Sequence, residues 1–273
     1  MHRRGFLAGA ASLALPAPAI GGTTKTLLFV PQSPLASLDP VWTSAMTTRN
    51  IGFQIYDVLF GRDEWMNPKP QMLAGYIVED DGKRWVMTLR ENQWFHDGTK
   101  VLARDCVASL RRWMVRDPAG VTLHSRLDAM EAPDDRTIVL RLNRKFPPLP
   151  KALSKFQTAA VMVPERLANT DPFKQMPEAI GSGPFRFLKD EYVIGSHAAL
   201  VPFERYVPRD EKPSSEEICS GRRFSAIEAD GLISGATSVN WKMNLLNVII
   251  ESVCRTADGS DMQNTETSVV GRY

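Results

Sequence analysis

The sequence is poor in the residues and motifs that many binding and catalytic chemistries require. Its 273 residues include three cysteines and four histidines, and no Cys-x-x-Cys pair occurs. This excludes a zinc ribbon and a thioredoxin-like redox motif. The net charge is only +2, and no Lys/Arg tract occurs beyond the N-terminus. Nucleic acid and a polybasic membrane contact are therefore not expected among its partners.

The common catalytic signatures are also missing. The sequence has no G-x-S-x-G elbow, no H-E-x-x-H helix and no P-loop. Two runs of adjacent acidic residues, Glu79 to Asp81 and Asp134-Asp135, lie in segments predicted as turns. Carboxylates at such positions are expected to be solvated rather than catalytic. His96-Asp97 is followed by Gly-Thr, which favours a turn over a metal site. We therefore expect no enzyme activity, no cofactor and no metal ligands.

The one notable apolar run is near the N-terminus and is too short to span a membrane. Arg3-Arg4 precedes apolar residues 6–15, and Pro16-Ala-Pro-Ala19 follows them. This order is typical of an export signal of the twin-arginine type, with cleavage after Ala19 or Gly21. A short buried N-terminal helix is the alternative. The pattern predicts a signal peptide at residues 1–21 and a protein that is periplasmic and soluble after its removal.

The clearest local structure is a hairpin that leads into a helix, within residues 80–113. A turn at Asp81-Gly82 precedes a strand at residues 84–90, and a second turn at residues 96–99 precedes the helix. The strand is expected to bury Trp85, Met87 and Leu89, and the helix Val107, Leu110, Met114 and Trp113, with Cys106 as a plain buried thiol. Arginines 104, 111, 112 and 116 are expected to face water.

Three further segments have recognisable patterns. Ile51, Ile55 and Leu59 follow helical spacing within residues 47–60 and are predicted to be core. Residues 130–142 predict a second hairpin with Ile138, Leu140 and Leu142 inward. The glycine-rich stretch G-S-G-P-F at residues 181–185 predicts close backbone packing before an edge strand, because no phosphate-binding pattern surrounds it.

Residues 80–113 closely resemble the signature of the extracytoplasmic solute-binding proteins of ABC importers, family 5, the peptide/nickel group. That signature has a D-G-x-x-[WY]-x-x-x-L-R strand, then F-H-D-G, then a helix of the D-V-x-x-S-x-x-R kind. The matching residues are Asp81, Gly82, Trp85, Leu89, Arg90, Phe95, His96, Asp97, Gly98, Asp105, Val107, Ser109 and Arg112. S-L-D-P at residues 37–40, I-Y-D-x-L at residues 55–59 and G-S-G-P-F at residues 181–185 resemble further family elements.

The resemblance implies an α/β fold of the periplasmic binding protein-like class, type II, peptide-binding subgroup. It covers residues 26–211, which would be the N-terminal part of the family domain and its first lobe only, with the second lobe missing. It also implies a small solute as ligand, a peptide in the first instance and a nickel complex or other solute as alternatives. The implied partner is an ABC permease in the inner membrane. An exported hydrolase and a sensory or chaperone-like relative are the competing hypotheses.

In this family the loop after the first strand lies at the ligand cleft. The resemblance therefore makes Gln32, Ser33, Leu38 and Trp42 the candidate ligand-binding residues, with Trp42 as an aromatic contact surface. Asp39-Pro40 favours a turn on physical grounds alone, since proline disfavours helix at the residue before it. For Asp39 itself, a capping turn without ligand contact is at least as good an interpretation.

Residues 212–273 differ in character from the rest. Of nineteen prolines only Pro213 lies in this segment, serine is enriched, and the family resemblance ends here. We expect a non-family tail that is poorly ordered, produced by a shift of reading frame or by fusion to unrelated sequence. A divergent native tail is the alternative.

Overall fold

The computed structural model describes residues 25–31, 33–63, 65–209 and 267–272, with the backbone alone at residues 25–28 and 267–272. Its helices are α1 (Met46–Ile55), α2 (Ala103–Arg116), α3 (Pro118–His124), α4 (Leu149–Leu153) and α5 (Glu165–Ala168). Its strands are β1 (Lys25–Phe29), β2 (Asp57–Val58), β3 (Phe60–Arg62), β4 (Pro68–Pro70), β5 (Leu73–Glu79), β6 (Arg84–Leu89), β7 (Leu127–Glu131), β8 (Thr137–Leu142), β9 (Val161–Met162), β10 (Phe185–Val193), β11 (His197–Pro202) and β12 (Thr267–Arg272). The predicted signal peptide at residues 1–21 lies outside the described residues.

Four antiparallel strands in the order β5-β6-β8-β7 form the first sheet. The predicted turn joins β5 to β6, and Asp80, Asp81 and Gly82 all have positive φ there. Aspartate and glycine adopt this left-handed conformation more readily than most residues, which explains why the chain reverses at this point. The predicted strand, hairpin and inward face are confirmed: Trp85, Met87 and Leu89 are buried, as are Ile138, Leu140 and Leu142 of β8.

Helix α2 packs on this sheet and closes the larger core. Leu110, Trp113 and Met114 are buried there, and the thiol of Cys106 is fully enclosed, as predicted. The helix ends where Asp117 becomes extended and its carboxylate accepts hydrogen bonds from the backbone N–H groups of Ala119 and Gly120. Pro118 at the first position of α3 suits this restart, because proline needs no hydrogen-bond acceptor for its nitrogen.

The predicted helix over residues 47–60 is shorter than expected. Helix α1 ends at Ile55, because Tyr56 has an extended backbone and the chain continues into β2 and β3. Asp57 pairs with Met162 of β9, a partner far along the chain that local periodicity does not reveal. The expectation that this segment is core is correct, since Ile55, Tyr56 and Leu59 are almost fully buried.

The second four-stranded sheet has the order β1-β12-β11-β10. β1 runs parallel to β12, which pairs antiparallel with β11, and β10 forms the sheet edge, as predicted for the strand after residues 181–185. Helix α1 packs against β10. Apart from β12, the predicted tail at residues 212–273 lies outside the described residues, and its origin stays a prediction. Among the described residues, no helix has the length and apolarity to cross a membrane.

Candidate functional site

The loop at residues 33–42 is fixed to the start of α1 by hydroxyl groups. The Ser33 and Thr47 hydroxyls lie 2.6 Å apart, and Thr47 also donates to the Ser33 carbonyl at 3.0 Å. Thr48 donates to the Ser37 carbonyl at 2.7 Å. Threonine is a modest helix former, so its use at two consecutive helical positions is explained by these bonds to the loop.

Two tyrosine hydroxyls bind further carbonyls of the same loop. Tyr192, at the end of β10, donates to Leu35 at 2.7 Å, and Tyr56 donates to Leu38 at 2.9 Å. Burial raises the pKa of Tyr192, and burial followed by the Asp39 charge raises the pKa of Tyr56 well above its ordinary range. Both hydroxyls therefore remain protonated donors. The loop is held from α1, from β10 and from the residue that follows α1.

A buried ion pair joins this loop to α2. Arg112 contacts both carboxylate oxygens of Asp39, at 3.1 and 2.7 Å, and each side chain is 3% exposed. The Asp39 carboxylate also accepts from the backbone N–H groups of Val41, Trp42 and Met176. The predicted turn at Asp39 is confirmed. The prediction that Arg112 faces water is wrong, because a charged residue among surface arginines looks like a solvated face until its distant partner is known.

Arg112 belongs to a row of polar side chains along one face of α2. Asp105, Ser109 and Arg112 are spaced by four and three residues, which places them on adjacent turns. Asp105 accepts from the backbone N–H of Glu165 at 2.8 Å, and the Ser109 hydroxyl lies 3.1 Å from both the carbonyl and the amide nitrogen of Val163. We call these three residues the polar row of α2.

Every member of the polar row forms hydrogen bonds with backbone groups of residues 163–174, outside α2. Arg112 donates to the carbonyls of Thr170 and Lys174 in addition to Asp39. Burial is the main influence that raises the pKa of Asp105. Polar groups buried in this way fix the path of the loops around them, because any other arrangement leaves a donor or acceptor unpaired. The spacing of aspartate, serine and arginine was the sequence signal that could have revealed the row.

The other arginines of α2 agree better with the prediction. Arg104 and Arg111 are exposed. Arg116 is half-buried: its guanidinium lies over the Phe173 ring at 5.0 Å and donates to the Trp42 carbonyl at 2.8 Å. The last turn of α2 therefore holds the far end of the loop, and Phe173 leaves an exposed aromatic surface beside it.

The structure separates the predicted site residues along the loop. Gln32 lies outside the described residues. Ser33 is exposed beside the start of α1, Leu38 is half-buried against the smaller core, and Trp42 is half-buried beside Arg116. Ser33 is thus the one of the three described candidates with an exposed side chain. Ligand contact by any of the four remains a proposal.

A second contact joins the F-H-D-G motif at residues 95–98 to the glycine-rich motif at residues 181–185. The His96 Nε2 atom lies 2.9 Å from the Gly183 carbonyl, and the Gly181 N–H donates to Nδ1 at 3.4 Å. These partners require a neutral ring with its proton on Nε2. Burial is the main cause that lowers the pKa of His96 to about 4, which agrees with the neutral ring. Because both ring nitrogens face backbone partners, the geometry favours the predicted turn over a metal site.

The glycines of residues 181–185 are required by close packing against the end of α1. A Cβ atom at Gly181 would lie 2.1 Å from the Ile55 carbonyl oxygen, and one at Gly183 would lie 2.7 Å from the Gln54 carbonyl oxygen. Gly183 also donates its N–H to Ile55 at 2.9 Å. The predicted close backbone packing is therefore confirmed.

Residues 203–209 return across the first hairpin near a buried carboxyl group. Arg90 donates to the carbonyls of Val207 and Pro208, and Gln71 donates to Asp57 at 3.4 Å. Burial raises the pKa of Asp57 to about 6, and the nearby hydrogen bonds and Arg90 oppose the rise only in part. This carboxyl group is a titratable site that is not part of the loop at residues 33–42.

The fold is that of the periplasmic binding protein-like class. The structure resembles a dipeptide binding protein from Pseudoalteromonas sp. SM9913 in complex with Met-Leu, with a TM-score of 0.59 and 18% identity, over 68% of this chain and 41% of that one. It also resembles the periplasmic binding protein AgaA of A. tumefaciens R10 in complex with agropinic acid, with a TM-score of 0.57 and 26% identity, over 68% and 38% of the two chains.

Residues 67–220 match the family described as Bacterial extracellular solute-binding proteins, family 5 Middle, and the chain belongs to that family. It is 37% identical over 217 residues to a probable peptide ABC transporter periplasmic-binding protein of Sinorhizobium fredii, covering 78% of this chain and 40% of the relative. It is 29% identical over 165 residues to the glutathione-binding protein GsiB of Escherichia coli K12, covering 59% and 32%. The chain thus spans about a third to two-fifths of the length of these relatives, which are named as binding proteins rather than enzymes.

Proposed function

We propose that this chain serves as the solute-binding component of an ABC importer in the periplasm, binding short peptides or similar small solutes for an inner-membrane permease. The observation that carries the proposal is the loop at residues 33–42, which the buried Asp39–Arg112 pair anchors to α2. The peptide name of the Sinorhizobium fredii relative supports peptides as the solute class. A glutathione-binding relative is consistent with that class, because glutathione is itself a peptide.

A loop fixed before binding suits this role for a physical reason. Ordering a flexible loop costs about 1–2 kcal/mol per residue, and a loop already held by buried bonds does not lose that entropy when a solute binds. Ser33 would supply a hydroxyl and Trp42 an aromatic surface, with Gln32 and Leu38 completing the contact surface. Peptide groups would be recognised through hydrogen bonds and bridging water rather than through charge.

The proposal includes the organisation of the chain. Residues 1–21 would direct export, residues 26–211 would form the N-terminal part of the family domain, and residues 212–273 would be a tail of other origin. The family match ends at residue 220, close to that boundary. In a two-lobed binding protein, closure of the second lobe encloses the solute. We expect the first lobe by itself to bind weakly, with dissociation constants above the micromolar range.

The test is titration calorimetry of the mature chain with triglycine, trileucine and glutathione. Saturable heat with at least one of these peptides, which remain intact by chromatography, supports the proposal. No heat at millimolar peptide contradicts peptide binding by this chain, and cleavage of the peptides would revive the hydrolase hypothesis. Trp42→Phe should abolish most of the fluorescence change on binding. Trp65→Phe is the matched control, because Trp65 is 73% exposed in the turn between β3 and β4.

A further inference from the structure

The tip of the hairpin between β10 and β11 has an unusual composition. Gly195, with φ of +77°, makes the turn, but Val193 and Ile194 beside it are 51% and 79% exposed. Hairpin tips favour glycine, asparagine, aspartate and serine, whereas valine and isoleucine favour half-buried strand positions. Two consecutive exposed β-branched residues at a tip therefore need a reason.

Strand register places this tip at the end of the sheet where the candidate loop begins. Phe29 of β1 pairs with Gly271 of β12, which pairs with Ala198 of β11, and His197 pairs with Val193. These residues lie at the same end of the sheet, although β1 and β10 are its two outer strands, three strand spacings or about 14 Å apart. The hairpin tip and the start of the loop at residues 33–42 therefore lie at one end of the sheet.

The tip is also bonded to the loop. The Tyr192 hydroxyl donates to the Leu35 carbonyl at 2.7 Å, and its ring meets Phe187 edge-on, with centroids 5.5 Å apart. Tyr192 directly precedes Val193, so the bond fixes the tip relative to the loop. Residues 193–196 carry no acidic or basic side chain.

We infer that Val193 and Ile194 form an apolar wall of the solute site, beside the loop at residues 33–42, that takes an aliphatic side chain of the bound solute. The wall rests on the proposed function and adds a preference to it. Peptides with leucine-like side chains bind more tightly than those with none, because the wall offers apolar surface that such a side chain can cover.

Methyl NMR of the full chain tests this wall even if binding is weak. Isoleucine and valine methyl groups are labelled, and trileucine and triglycine are titrated to millimolar concentration. Trileucine should shift the Ile194 and Val193 signals with saturation and bind about tenfold more tightly than triglycine, since one added apolar group in a pocket is worth roughly that factor. Ile194→Ser should remove most of this preference.

Ile77→Ser is the matched control, because Ile77 is 60% exposed but lies on β5 of the other sheet. It should leave both affinities within about twofold of the parent. If both peptides bind the parent but Ile194→Ser weakens them equally or not at all, the wall is refuted while the proposed function stands. If neither peptide shifts any signal of the parent, the proposed function and the wall both fail for this chain.

Discussion

Replacement of Arg112 by methionine tests the polar row of α2 most severely. The guanidinium of Arg112 forms two contacts to Asp39 and reaches the carbonyls of Thr170 and Lys174. Methionine retains much of the side-chain volume but none of the donors. We expect the loop at residues 33–42 and the segment around Thr170 to lose their common anchor, and the chain to lose stability.

The structure sets the size of this effect. Both side chains are 3% exposed, so the carboxylate of Asp39 left without its partner is not rescued by water. Removing one member of a buried pair typically costs about 3–5 kcal/mol. Asp39 keeps backbone N–H partners at Val41, Trp42 and Met176, which offset part of the lost charge pairing. We therefore expect about 3 kcal/mol for Arg112→Met, at the lower end of that range.

Urea unfolding followed by circular dichroism measures the free energy of unfolding. Arg104→Ala is the control on the same helix, since Arg104 is 66% exposed and lies 3.8 Å from Glu165. A surface pair of this kind is worth about 0–1 kcal/mol. Adding Asp39→Asn to Arg112→Met should cost less than the sum of the single changes. A loss below about 1 kcal/mol for Arg112→Met would refute the reasoning.

Gly181→Ala should cost about 1–3 kcal/mol through its clash with the Ile55 carbonyl, while Gly75→Ala, which meets nothing within 4 Å, should cost under about 1 kcal/mol; equal effects in urea unfolding would contradict this. Because the pKa of His96 is lowered from 6.5 to about 4 in the folded chain, the stability that His96 contributes is complete above pH 6.5 and is lost as the pH falls towards 4. His96→Asn removes this loss, so the melting temperature of the variant should depend less on pH. The raised pKa of Asp57 has the opposite effect, because the stability that this group contributes is lost as the pH rises from 3.8 to about 6. Asp57→Asn should therefore make the melting temperature fall more steeply towards acid pH. An unchanged dependence of the melting temperature on pH in either variant counts against the corresponding pKa. Gln54 is 4% exposed, and neither amide atom has a partner among the described residues, so Gln54→Met should raise stability by about 1 kcal/mol; a loss would indicate an ordered water or another group at that amide.

Local patterns predicted the first sheet and its covering helix well. Alternation in β6 and β8 identified the buried faces, and Asp81-Gly82 identified the turn, because these features depend on residues close in sequence. The same patterns overextended α1, whose end at Ile55 depends on strand pairing with distant β9. The boundary could not follow from helical spacing, which continues to Leu59 without interruption.

The candidate site was less predictable than the fold. Asp39 and Arg112 are 73 residues apart, so neither suggested that the other would be buried. The contact of His96 with Gly183 spans 87 residues. It joins a motif that had been interpreted as a turn to one that had been interpreted as close backbone packing before a strand. Asp105, Ser109 and Arg112 are buried because they have hydrogen-bond partners in distant segments, which their hydropathy does not indicate. Polar residues at helical spacing can therefore mark a buried face of a helix.

Hydrogen exchange of the chain with and without saturating trileucine tests the central claim, that the loop at residues 33–42 carries the solute site. The account predicts slower exchange for backbone N–H groups at residues 33–38 and 193–196 when the peptide is bound. The turn at residues 63–67, between β3 and β4, should exchange at the same rate in both samples. Saturable binding that leaves residues 33–42 unchanged, or that protects residues 63–67 instead, would contradict the account.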